Sequence, residues 1–293
     1  PARSDYALYP GTYEYKYPKA GENNSKVSVL SFDIKSRVTR TMKVPLDADG
    51  YIPRIQFAGE KDRLIVSTLN RHQNRLDFYA VNARSTQAQL ILREENRRYV
   101  DECSYQDVNF KDGNFVIISD RDGYRHLYLY SAAGQLIKQL TSGNYEVTQY
   151  YGKSADGKYF YYASNEGSPL EQYIYRVDSA GRKTKLSARK GTNSAIFSAN
   201  CTYYINVYSD INTPAVYTIC NAAGKELKTV EDNAPLKESM ASLNMAEPEI
   251  ISITTADGVQ LNGWMVKPRN FDASKKYPVL MYQYSGPGSQ QVH

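Results

Sequence analysis

Ser119 to Gly134, SDRDGYRHLYLYSAAG, decides the fold, because its design recurs before and after it in the chain. A hairpin strand pair, Asn109 to Ile118 (NFKDGNFVII), leads into Ser119. A polar loop follows, then the alternating strand His126-Leu127-Tyr128-Leu129-Tyr130, the turn Ala133-Gly134, and a last strand from Gln135 to Leu140. The same order returns at Tyr159 to Leu186 (YFYYASNEGSPLEQYIYRVDSAGRKTKL) and at Tyr203 to Leu227 (YYINVYSDINTPAVYTICNAAGKEL), and more weakly at Leu64 to Val81. The serines that close the second strand, Ser67, Ser119, Ser164 and Ser209, step by 52, 45 and 45 residues by subtraction. The last-turn glycines Gly134, Gly181 and Gly224 step by 47 and 43. Four short strands at this period are the signature of a β-propeller blade, a small sheet that cannot cover both its faces alone. A long β-sandwich has no reason to repeat loop chemistry in register.

Working outward, four units are expected near residues 51–95, 105–141, 148–190 and 195–230. Lys26 to Ile34 and Ser36 to Val44 read as the outer half of a blade whose inner half lies upstream of residue 1. Pro10 to Gly21 is turn-rich and extended, since Pro18 argues against a central strand. Asp112-Gly113 and Asp156-Gly157 are hairpin turns that need positive φ. Asp120, Asn165 and Asp210 follow the repeated serines and read as loop caps rather than calcium ligands, for which several carboxylates would have to converge on one loop.

The repeat stops at Glu231-Asp232-Asn233. Leu236, Met240 and Leu243 then fall on one face of a short helix starting from an Asx cap, ended by Glu247-Pro248. Beyond it, Glu249–Thr255 and Val259–Lys267 flank Asp257-Gly258 as a hairpin with Trp264 and Val266 on one face. Tyr277 to Tyr284, YPVLMYQY, has the apolar continuity of a strand buried on both faces of an α/β sheet. The fold class expected is mainly β: a partial propeller of four-stranded blades over residues 1–232, a linker with a short helix over 233–248, and the first strands of an α/β-hydrolase domain over 249–293. The chain reads as cut at both ends.

The totals agree with a folded chain: 293 residues, 41% hydrophobic and 23% charged. The 27 tyrosines fall mainly in strands, where aromatic residues suit a pleated, half-buried surface. Lys plus Arg is 36 against 31 Asp plus Glu, giving +5 with no basic block, so the charge serves solubility and argues against a nucleic-acid partner. Cys103, Cys201 and Cys220 have no C-x-x-C spacing. Free buried thiols are the expected state, although Cys201 and Cys220 are placed to pair across one blade if geometry allows. No cofactor or metal is implied, and no apolar run approaches the ~20 residues of a membrane span.

Taken together, Tyr17-Pro18-Lys19-Ala20-Gly21, Asp122-Gly123-Tyr124-Arg125-His126, Asn144-Tyr145-Glu146-Val147, Ser274-Lys275-Lys276-Tyr277-Pro278 and Tyr282-Gln283-Tyr284-Ser285-Gly286-Pro287-Gly288-Ser289-Gln290 resemble the dipeptidyl peptidase IV branch of the prolyl oligopeptidase serine peptidases. The resemblance implies a propeller that filters peptide substrates into a cavity over an α/β-hydrolase domain, with release of X-Pro or X-Ala dipeptides from peptide N-termini. It implies a secreted, periplasmic or membrane-tethered setting and leaves a homodimer open, and exposed blade edges invite pairing with another chain. By the family motif, Tyr284 is the catalytic tyrosine whose hydroxyl stabilises the oxyanion.

The rest of the catalytic set is not in these residues. No serine has glycine two residues before and two after it, the signature of the hydrolase nucleophile elbow. His72 and His126 lie in propeller repeats and His293 is terminal, so none sits where the hydrolase base belongs. The glutamate pair that grips the substrate amine in this family belongs upstream; Glu94-Glu95 matches it in spelling but lies among Arg93, Arg97 and Arg98, as a solvated charge cluster in a blade linker. The chain is therefore expected to be inactive alone. The alternatives are a non-enzymatic propeller binding module, or an oligopeptidase or acylaminoacyl peptidase of the same family.

Overall fold

The computed structural model describes residues 2–3, 8–9, 11–106, 108, 110, 113–284, 286 and 288–292. Asp112 of the expected Asp112-Gly113 turn, Ser285 and Pro287 of the Tyr284 motif, and His293 lie outside these. Strands β1 (Ala2–Arg3) and β2 (Gly11–Thr12) form a short antiparallel ladder, and β3 (Leu30–Asp33) pairs with β4 (Val38–Thr41). Next, β5 (Tyr51–Phe57), β6 (Arg63–Leu69), β7 (Arg75–Asn82) and β8 (Ala88–Glu95) make a four-stranded meander. A helical turn α1 (Cys103–Gln106) leads to β9 (Phe115–Ser119), β10 (His126–Tyr130) and β11 (Leu136–Gln139), three strands among the described residues. Two further four-stranded meanders follow: β12 (Val147–Lys153), β13 (Tyr159–Ser164), β14 (Tyr173–Asp178) and β15 (Lys183–Lys185), then β16 (Thr192–Phe197), β17 (Tyr203–Asp210), β18 (Thr213–Asn221) and β19 (Glu226–Glu231). Helix α2 (Ala234–Ser242) and the hairpin β20 (Glu249–Thr254) with β21 (Gln260–Met265) complete the order. The chain is mainly β, and the four successive antiparallel sheets are the blades of a partial propeller, at the positions that the repeat indicates.

Two compact units divide the chain: residues 1–105 with 110–113 and 132–135, and the remainder. The first has a core of Val29, Met42, Val66, Tyr79 and Val81, which lays the β3–β4 hairpin against the β5–β8 sheet. In the second, Tyr161, Ile174, Leu186, Ala195, Cys201, Tyr204 and Cys220 form a cluster that joins the β12–β15 sheet to the β16–β19 sheet.

The middle strands depart from simple alternation. All five residues of β9 (FVIIS) and of β10 (HLYLY) are buried, polar His126 included. His126, Tyr128 and Tyr130 share the face that the alternation marks as polar, where Tyr130 stacks on Phe115 and both ring nitrogens of His126 find partners.

A second regularity holds the blades together and does not show in the repeat. The carbonyl that opens each final turn accepts a hydrogen bond from a side chain of the sheet before it. Ser31 Oγ donates to Ala83 O, Arg63 Nη2 to Ala132 O and Lys138 Nζ to Ser179 O, each at 2.8 Å, and Arg176 Nη1 donates to Ala222 O at 3.3 Å. The turn glycine then approaches that neighbour: Gly224 has φ 87°, and a Cβ on it would lie 2.8 Å from Leu186 O. In the β7–β8 turn the left-handed position is filled by Thr86 (φ 66°), which is why that repeat reads more weakly.

Two expectations are corrected. Asn233 occupies the N-cap position of α2, but in the left-handed region and without a side-chain cap; its Nδ2 reaches across to Ala215 O at 2.6 Å. The helix itself forms where the sequence places it, with Met240 half-buried and no residue fully buried. The apolar run Tyr277–Tyr284 forms no ladder among the described residues, and residues 278–284 are open to solvent, with Leu280 97% exposed. A strand acquires its hydrogen bonds and its cover from neighbours, and no described strand pairs with this run.

Candidate functional site

Residues 268–292 enter the site as a compact turn, an extended run and a strap. The turn is folded by its own polar groups: Asp272 Oδ1 accepts from Ser274 N at 3.0 Å, Asp272 N donates to Tyr277 Oη at 2.9 Å, and Phe271 stacks on Tyr277 with ring centroids 5.2 Å apart. Hydrogen bonds to the carboxylate, that from the Ser274 side chain first, hold Asp272 below the usual carboxylate range. Past the extended run, Tyr284 is 65% exposed and its ring folds over Gly286, where a Cβ would meet Cε1 at 2.5 Å. Any side chain at 286 would displace the phenol.

The strap then turns, with Ser289 N donating to Gly286 O at 3.2 Å, and meets two blade loops of the second unit. Gly288, at φ 68°, lies so near Arg125 that a Cβ would be 3.3 Å from Nη2. Gln290 Nε2 donates to Pro169 O at 2.7 Å.

Those two loops are tied to each other. Arg125 N donates to Glu146 Oε2 at 2.7 Å, and Val147 N donates to Arg125 O at 2.8 Å. Glu146 N donates to Asn165 Oδ1 at 2.7 Å, while Asn165 N returns a bond to Glu146 O at 3.2 Å. Asn165 therefore does not cap its own loop, as the repeat suggests; it fastens the neighbouring one. Asp210 does cap its loop, accepting from Asn212 N at 2.9 Å.

His126 is fully buried beneath this lattice. Its Nε2 faces Gly143 O at 2.9 Å, and a carbonyl only accepts, so Nε2 carries the proton. Nδ1 lies 3.1 Å from Thr141 Oγ1, which also accepts from Leu127 N at 3.0 Å, and Tyr145 packs edge-on at 5.0 Å. Every polar group of the ring has a partner, so His126 is a structural residue. His72 is exposed in the β6–β7 turn.

Glu94 and Glu95 end strand β8 rather than lying in a linker, and Glu94 is buried, which corrects the solvated reading for that residue. The sequence reading passed over Asp77, buried in β7 and gripped by Arg93 through Nε at 2.6 Å and Nη2 at 2.9 Å. Asp47, Asn70, Arg75, Asp77 and Arg93 line a cavity of about 340 Å³ in the first unit, yet Arg75 is engaged by Asp47 at 2.8 Å as Arg93 is by Asp77. Matched cations and carboxylates leave the cavity no net charge with which to hold an ionic substrate. No disulfide joins Cys103, Cys201 or Cys220, and burial raises the thiols of Cys201 and Cys220. Among the described residues no cluster of three His, Cys, Asp or Glu could hold a metal ion, and no helix is long and apolar enough to cross a membrane.

The arrangement can do one piece of chemistry. A solvent-facing phenol on a strap braced by blade loops can donate a hydrogen bond to an oxygen that becomes negative in a transition state. Among the described residues no nucleophile and base pair stands beside it.

Comparison with known proteins follows the same line. The profile of the family described as Dipeptidyl peptidase IV (DPP IV) N-terminal region matches residues 2–215. The dipeptidyl peptidase 4 of Trichophyton equinum is 30% identical over 97% of this chain, and that of Trichophyton rubrum is 29% identical over the same share. The crystal structure of Porphyromonas gingivalis dipeptidyl peptidase 4 superimposes over the whole chain with a TM-score of 0.93 at 47% identity. The chain spans 38% of the length of these fungal relatives and 42% of the bacterial structure.

Proposed function

The chain belongs to the dipeptidyl peptidase IV N-terminal-region family, and from that premise we propose that it forms part of a serine exopeptidase which releases X-Pro or X-Ala dipeptides from peptide N-termini. Residues 1–232 supply propeller blades that gate peptide access, residues 233–248 link, and residues 249–293 begin the α/β-hydrolase domain. The observation that carries the reading is Tyr284, its ring seated over Gly286 on a strap that touches the loops at Arg125 and Pro169.

In this reading a serine outside residues 1–293 attacks the scissile carbonyl with help from a histidine base, and Tyr284 Oη donates to the oxygen that takes the charge. The electron pair of the carbonyl moves onto that oxygen and returns as the amine leaves, so Tyr284 acts only while the tetrahedral species exists. This chain alone does not turn over substrate, a reading supported by the absence of any G-x-S-x-G in it.

The test is hydrolysis of a Gly-Pro anilide by this chain and by the full-length protein that contains it. Turnover by the longer protein with silence from the chain is the expected result. Tyr284→Phe in the longer protein should lower kcat about 100-fold with little change in KM. Undiminished turnover would remove the oxyanion role, and cleavage of blocked or internal-proline peptides in place of the anilide would move the assignment to an acylaminoacyl peptidase or oligopeptidase.

A further inference from the structure

The strap and the two blade loops close a circuit of contacts. Starting from Tyr284, the path runs over Gly286 to Gly288 at the Arg125 guanidinium, and along the Arg125 backbone to the Glu146 carboxylate. From Glu146 it passes to Asn165, then through the turn in which Ser168 N donates to Asn165 O at 3.2 Å, to Pro169 O, and by the Gln290 side chain back to the strap. Each link is a direct contact between residues of the second unit. The bond from Gln290 to Pro169 joins positions 121 residues apart. It is the link made by a single exposed side chain, whereas Glu146 and Asn165 are partly enclosed.

We propose that Gln290 is a positioning residue for Tyr284: its hydrogen bond to Pro169 O, together with the close seat of Gly288 on Arg125, fixes the strap on the propeller loops and so sets where the phenol hydroxyl points. The inference rests on the reading of Tyr284 as the oxyanion donor. The physical case is that the Tyr284 ring is seated against the backbone that follows it, at Gly286. Its orientation then depends on the backbone that follows it. Gly286 admits the ring, Gly288 adopts a left-handed conformation that lets the chain turn onto Arg125, and Gln290 anchors the far end. An oxyanion donor displaced by about 1 Å loses much of its effect, because the hydrogen bond must already be aimed at the place where charge develops.

The test uses the full-length protein with three variants at 290 and one at 284. Gln290→Glu keeps the shape but sets a carboxylate against the Pro169 carbonyl; Gln290→Ala removes the donor; Gln290→Lys restores a donor of similar reach. Glu and Ala should lower kcat about 10-fold with KM nearly unchanged, and Lys should recover most of the loss, all with an unaltered unfolding transition since the side chain is exposed. In a Tyr284→Phe background, Gln290→Glu should cost nothing further, because a residue that acts through the phenol has nothing left to position. Amide hydrogen exchange across residues 284–292 should rise in Gln290→Glu and Gln290→Ala and fall back in Gln290→Lys.

A full additional loss in the Tyr284→Phe background would overturn the proposal, as would unchanged kcat in Gln290→Glu when Tyr284→Phe is impaired. If Tyr284→Phe itself turns over normally, the oxyanion reading fails and the positioning role falls with it. Hydrogen exchange then reports separately whether Gln290 still tethers the strap to the loop.

Discussion

Two apolar runs of similar spelling meet opposite fates in this molecule. Phe115–Ile118 (FVII) in β9 is buried throughout, while Val279–Tyr282 (VLMY) is among the most exposed stretches of the chain. Their strand propensities are alike; their neighbours are not. Strand β9 pairs with β10 along its full length, whereas residues 278–284 have no strand beside them among the described residues. An apolar run states a demand for cover, and only the surrounding chain meets it. The same contrast separates the β12–β19 blades, rich in buried tyrosine, from the β20–β21 hairpin, which has its register but no core.

Substitutions that probe the two regions in parallel sharpen this contrast. The largest effect is expected from Ile174→Ala, at a fully buried site in the joint between two blades, which should destabilise the chain by about 3 kcal/mol in denaturant unfolding. A loss under ~1 kcal/mol would mean that the blades relax into the cavity and that the joint is softer than it looks.

Alkaline titration comes next. Burial pushes the hydroxyls of Tyr151 and Tyr175 up to about 12, against about 10 in an unfolded chain. Between those values the unfolded state releases the protons and the folded state retains them. The stability that these two groups contribute is therefore present in full below pH ~10 and lost as the pH rises through ~12. The part of the tyrosine absorbance change that is lost in Tyr151→Phe and Tyr175→Phe should appear together with unfolding followed by circular dichroism. Appearance of that part at pH ~10 without loss of structure would show these two tyrosines to be accessible. The β20–β21 hairpin contains no tyrosine and should not contribute.

Two turn glycines provide a finer comparison. Gly224 and Gly258 have nearly equal φ, 87° and 85°, but a Cβ on Gly224 would press on Leu186 O at 2.8 Å while Gly258 has nothing within 4 Å. Gly258→Ala should cost about 1 kcal/mol through conformation alone, and Gly224→Ala about 2 kcal/mol, the excess measuring blade contact. Equal costs in urea unfolding would show that the turn does not seat on its neighbour. The smallest effect belongs to Leu280→Ser, within ~0.5 kcal/mol of the parent. Its consequence should appear instead as reduced light scattering, since it removes exposed apolar surface.

How much of the site is legible in the sequence follows from the same physics. Tyr284 stands out there only through the motif around it; nothing in its own spacing distinguishes it from the other tyrosines. Arg125, His126, Tyr145 and Glu146 lie in stretches that carry the family resemblance, yet their spelling does not say that Arg125 N meets Glu146 or that His126 spends both ring nitrogens on Thr141 and Gly143. Asn165 reads as a local cap because such residues usually close their own loops, and in the fold it serves the loop next door. Glu94 reads as solvated from its basic neighbours in sequence, but the strand turns alternate residues to opposite faces and places it inside.

By itself the sequence determined the repeat, the number and order of the blades, the hairpin turns and the end of the propeller pattern at residue 231. Each of these depends on residues a few positions apart, and local sterics and side-chain alternation act at that range. Only the tertiary structure decided which apolar runs are covered, which carbonyls the preceding blade caps, and how the Tyr284 strap is tied to loops more than a hundred residues earlier. Those outcomes depend on surfaces that meet only after the chain has folded, and no local pattern encodes the partner of a surface.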